Sequence, residues 1–160
     1  MALQRTAFEQ LPLGSIKPAG WLRDQLLIQA DGFTGHLDEH WADVGPDNGW
    51  LGGTGDSWER GPYYLDGLLP LAYLLEDDKL IAKANRWVEW ALSSQREDGG
   101  FGPAFIHTVN QEVNRRIDWW HYMIMLKVLM QHEEATGDAR VVPFLVRYMR
   151  YVHGMIEANP

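Results

Sequence analysis

Cysteine is absent from the 160 residues, which excludes disulfides, thiolate metal sites and a cysteine nucleophile within this chain. Basic residues are scarce beside acidic ones, 14 against 22, for a formal charge of −8. That balance opposes the phosphate backbone of nucleic acids, so no nucleic-acid partner is expected. Long apolar runs are also missing. The stretches around Leu68 to Leu75 and Met123 to Leu126 fall far short of the roughly 20 residues that cross a bilayer, and no membrane span is expected. The first ten residues hold Arg5 and Glu9 without an apolar core or a small-residue cleavage site. They do not read as a secretory signal, which leaves the cytoplasm as the default expectation.

What the chain does have is aromatic surface: eight Trp, six Tyr and five Phe within a composition that is 46% hydrophobic and 22% charged. The proportions fit a single folded unit. Sugar rings stack on such side chains, and a neutral ligand suits the charge balance better than an anionic polymer. The same rings also serve as ordinary core.

Periodicity predicts helices throughout. The first covers about 17–31, with Pro18 in its first turn, Ser15 as candidate N-cap and Gly32 just past its end. Residues 33–57 show neither a helical nor a strand period and read as a long loop, of a length that is often functional. A second helix over about 59–76 is apolar nearly all round, so it must be covered on every side. A third follows, capped by Asp78 and apolar on one face only. After a glycine-rich turn and a loop to Ile117, the helix at about 118–134 is again apolar on almost every side, and the last helix, after Thr136-Gly137-Asp138, is amphipathic.

An offset of 61 residues lays Leu80, Ala84, Trp87, Val88 and Ala91 over Val141, Leu145, Tyr148, Met149 and Val152, and Trp58 over Trp119. An apolar helix, a turn, an amphipathic helix and a loop thus occur twice, giving hairpins at about 59–96 and 118–158. Hairpins with inner and outer helices close naturally into an α/α toroid. The expectation is an all-α, incomplete (α/α)6 toroid, since six such hairpins would need on the order of 350 residues. Its uncovered flank calls for the remainder of the barrel or for self-association.

One mouth of such a ring collects the starts of the inner helices. Trp58, Glu59, Arg60 and Tyr64 stand there in one repeat, Asp118, Trp119 and His121 in the next, with His107 from the intervening loop. Trp58 and Trp119 suit stacking, Arg60 and His121 donation to hydroxyls, and Glu59 and Asp118 acceptance. Equally, Glu59 and Asp118 suit helix caps, and Arg60 an ion pair. Glu59 with Asp118 is the carboxylate pair that the repeat places at one mouth, as glycoside hydrolysis would require. His36 and His40 have the spacing of helix-borne metal ligands, but Gly35 and the loop around them argue against a helix, and no metal is expected.

The segments Leu11-Pro12-Leu13-Gly14-Ser15-Ile16-Lys17-Pro18, Gly20-Trp21-Leu22 and Trp58-Glu59-Arg60-Gly61-Pro62-Tyr63-Tyr64-Leu65-Asp66-Gly67 resemble glycoside hydrolase family 127, which includes β-L-arabinofuranosidases. Ser94-Gln95-Arg96-Glu97-Asp98-Gly99 and Ala135-Thr136-Gly137-Asp138 are similar to it as well. The resemblance implies an (α/α)6 barrel followed by β-sandwich domains, and retaining removal of terminal β-linked L-arabinofuranose. It also implies a zinc-bound cysteine nucleophile and a glutamate acid/base from later parts of the barrel, to which no position here corresponds. The expectation is therefore a glycosidase fragment that contributes sugar-binding residues, holds no cofactor itself and is inactive alone. The alternative is a non-catalytic carbohydrate-binding or structural toroid module.

Overall fold

A computed structural model of the chain describes residues 7–104 and 118–158. Six α-helices account for most of them: α1 (Trp21–Asp31), α2 (Phe33–His40), α3 (Arg60–Leu75), α4 (Asp78–Ser93), α5 (Trp120–Thr136) and α6 (Val141–Ala158). Short 3₁₀ turns occupy Ala42–Val44 and Gly49–Leu51, and there is no strand among the described residues. The protein is all-α, as its periodicity predicts.

Local chemistry moves several boundaries from their expected places. Helix α1 starts at Trp21 rather than near Lys17, because the residue before Pro18 disfavours helical backbone and Gly20 stands at φ 55°. Ser15 closes a turn on the Pro12 carbonyl at 3.0 Å instead of capping the helix. Asp77, not Asp78, caps α4, its carboxylate accepting from the backbone N–H groups of Lys79 and Leu80. The expected loop at 33–57 contains α2 and both 3₁₀ turns. Gly35 had argued against a helix there, yet a Cβ at this position would stand 1.8 Å from the Ala30 carbonyl oxygen. The glycine lets α2 fold back closely onto α1.

Helix α3 lies at the centre, packed against α5, α4 and α1. Leu65, Leu68, Leu69 and Leu129 are fully buried, each contributing about 2 kcal/mol by removal from water. Three contacts set α3 and α5 side by side and parallel. Trp58 meets Asp118, Asp66 meets Lys127 and Tyr73 meets His132, at sequence separations of 60, 61 and 59. The turn between α5 and α6 is tied back to α4 by Arg140 on Glu89, and α6 to the segment after α4 by the Phe144 carbonyl, which accepts from Gln95 Nε2 at 3.0 Å.

Neither α3 nor α5 is covered on every side. On α3, Tyr63 and Gly67 are exposed, and on α5 so are Trp120, Met123, Lys127 and Met130. Each set follows a spacing of three or four residues, one strip along each helix.

Candidate functional site

Because α3 and α5 run parallel, their starts share one end of the molecule. The indole N–H of Trp58 donates to Asp118 Oδ2 at 2.7 Å, while Asp118 Oδ1 accepts from the backbone N–H of Trp120 at 2.9 Å. Asp118, one residue before the N-cap Trp119, therefore ties Trp58 to the start of α5, with both oxygens engaged. The Trp58 carbonyl accepts from Trp50 Nε1 at 2.9 Å, which anchors a fully buried indole beneath the site. Asn48, also fully buried, donates from Nδ2 to the Asp43 carbonyl at 2.6 Å and accepts from Trp50 N at 2.7 Å.

Arg60 sits between two carboxylates, 2.5 Å from Asp43 Oδ2 and 3.5 Å from Asp56 Oδ1, with its guanidinium over the ring of Trp41. Burial raises the pKa of Asp56, Arg60 opposes this, and Asp43 and Glu59 add to it. Asp56 Oδ2 has no hydrogen-bond partner. Burial thus disfavours its ionisation while the adjacent guanidinium favours it.

The expected site residues divide. Trp58, Glu59, Arg60, Asp118 and Trp119 gather at the starts of α3 and α5. Glu59 precedes α3 and makes no side-chain cap. Trp119 is half-buried against Tyr122 and Tyr151. Tyr64 turns away into the core: its ring meets Trp87, and its hydroxyl donates to Asp38 Oδ1 at 3.1 Å. Burial first, then the Asp38 charge, raise its pKa. Asp38 also receives Lys83 at 2.7 Å, so this phenol belongs to a structural network. His121 is 0% exposed, with neither ring nitrogen hydrogen-bonded, among Trp50 and Tyr122. Burial lowers its pKa to about 4, against the raising effect of Asp118. His107 lies outside the described residues.

Sequence reasoning missed Asp43, Trp41 and Asn48, which come from turns without periodicity, and Tyr63, whose exposure depends on tertiary packing. Nearby, Gly52, Gly53, Thr54, Ser57 and Trp90 border a cavity of about 290 Å³. The described residues contain no group of three potential metal-ligating side chains, and the chain has no thiol. The donor set does not fit a zinc–thiolate centre. The chain matches no protein-family model, no curated protein and no solved structure.

Proposed function

We propose that this chain forms the opening hairpins of an (α/α)6 ring that binds a carbohydrate at the starts of its inner helices, as part of a glycoside hydrolase similar to family 127. The observation that carries the reading is the parallel alignment of α3 and α5. It draws Trp58, Asp118, Asp56 and Arg60 to one end, with Tyr63 and Trp120 exposed on the strips that would face the axis of the ring. Aromatic faces supply stacking, and fixed charges orient hydroxyl groups. Asp66 and Lys127 pair farther along the same strips, which gives the wall a polar middle.

A second reading, a carbohydrate-binding or structural module without catalysis, is favoured by one specific observation. Both oxygens of Asp118 are occupied within the fold, so Glu59 with Asp118 makes a poor pair for acid and nucleophile. In either reading these residues bind without cleaving.

Titration with arabinose-containing oligosaccharides, followed by Trp fluorescence, tests the proposal. Saturable quenching is expected. Trp120→Ala should weaken it by about fivefold, the value of one stacked ring, while thermal stability stays unchanged. No saturable response at millimolar sugar would sink the binding claim. Release of arabinose from an aryl β-L-arabinofuranoside by this chain alone would overturn the division of labour proposed here.

A further inference from the structure

Helix α2 carries two exposed imidazoles that the candidate site does not use. Gly35, which in the sequence speaks against a helix, is what seats α2 against the Ala30 carbonyl, so His36 and His40 stand one turn apart on a single helical face. Both border the same surface pocket of about 410 Å³, together with Asp31 and Phe33, and none of the candidate sugar-binding residues lines it. Their helix is held from other sides. Leu37 packs against the core, Asp38 receives the Tyr64 hydroxyl at 3.1 Å and the Lys83 ammonium at 2.7 Å, and Lys83 also donates to the Gly35 carbonyl at 2.7 Å. The backbone that spaces the two rings is therefore fixed by contacts that involve neither ring. One ring is oriented as well. His36 Nδ1 lies 2.9 Å from Glu39 Oε1, and an ionised carboxylate only accepts, so the proton sits on Nδ1 and the lone pair on Nε2. A carboxylate on one ring nitrogen, with the other left to ligate, is the usual outer support of a histidine that binds a metal.

We infer that His36 and His40 form a chelating site on α2 for a late first-row divalent cation such as Cu²⁺, Ni²⁺ or Zn²⁺, bound through Nε2 of His36 and a ring nitrogen of His40. Imidazole donors select these ions over Mg²⁺ and Ca²⁺, which take oxygen ligands. Among the described residues no group of three ligating side chains forms, so water completes the coordination sphere and the site stays open. Both rings are exposed, and turning them onto a shared ion costs only rotamer freedom. Asp31 on the pocket rim, Glu39 beside His36 and a formal charge of −8 favour a cation there. The inference is independent of the sugar reading.

Titration of the 160-residue chain with Cu²⁺, followed by electron paramagnetic resonance, tests the site. One tightly bound ion per chain is expected, with two imidazole nitrogens in its hyperfine pattern. His36→Gln and His40→Gln should each weaken binding by about a hundredfold, because either change turns a chelate into a single contact. The double variant should therefore lose little more than each single one. Glu39→Ala, which leaves both ligands in place but frees the His36 ring, should weaken binding by about tenfold. Calorimetric titration with Zn²⁺ should rank the variants in the same order, and Mg²⁺ should give no binding heat. Thermal unfolding without metal should be nearly the same for parent and histidine variants, since both rings lie at the surface. Copper held as tightly by the double variant as by the parent would overturn the inference. So would a parent spectrum with one nitrogen, or single variants whose losses simply add.

Discussion

Trp58 and Asp118, 60 residues apart, occupy nearly equivalent places in successive hairpins and are joined directly by an indole-to-carboxylate hydrogen bond of 2.7 Å. The bond fixes the axial register of α3 against α5 at the end where the candidate site lies. A hydrogen bond to a charged group contributes about 1.5–3 kcal/mol. Trp58→Phe and Asp118→Asn should each lower stability by about 1–2 kcal/mol in urea unfolding. The double variant should lose about 1 kcal/mol less than the sum. Strict additivity would mean that the pair is incidental.

His121 gives the fold a dependence on pH with a definite sign. Burial holds its folded pKa at about 4, whereas the unfolded imidazole titrates near 6.5. Between those values the unfolded chain binds more protons. The stability present above pH 6.5 is therefore lost as the pH falls toward 4, by an amount of order 3 kcal/mol. Replacing His121 by Phe should flatten this part of the profile. His132, whose pKa burial also lowers, should leave a smaller residual slope. If His121→Phe and the parent protein lose the same stability between pH 7 and pH 4.5, the burial argument is wrong.

Asp56 works in the opposite direction. Its folded pKa is raised, with burial the leading cause, so its ionisation opposes folding as the pH rises through that value. Asp56→Asn should leave stability at pH 7 unchanged or increased by up to about 1 kcal/mol. Arg60→Met should cost about 1–3 kcal/mol, because it strands a largely buried carboxylate. Thermal unfolding at pH 7 checks both. Asp56→Asn as the more damaging change would show that the carboxylate is held by something other than Arg60.

The helices of the two segments were legible because apolar side chains recur at most buried positions, with His121 and His132 as exceptions, at a helical period that survives a shift of 61 residues. Helix α2 was not legible. Gly35 lowers helix propensity in any local window, and only the Ala30 backbone lying against it reveals why a glycine is needed. At the start of α5, the candidates Trp119 and His121 flank Trp120, and each helical position turns the side chain by about 100°. The fold leaves Trp120 45% exposed and buries His121 completely. Local sequence nominated Trp119 and His121, but only the packing of α5 against Trp50 assigns the inward place to His121 and the outward one to Trp120. Arg60 was legible as a cation near the site. Its partner Asp43 was not, because it comes from a 3₁₀ turn that no periodic pattern announces.

The parallel run of α3 and α5 has an electrostatic consequence of its own. Peptide dipoles in α3 and α5 point the same way, so each contributes about half a positive charge to the same end and the two repel sideways. Asp118, Glu59, Asp56 and Asp43 stand around that end. Carboxylates so placed counterbalance the like partial charges of the two helix starts. The acidity of the chain is in this respect part of its architecture.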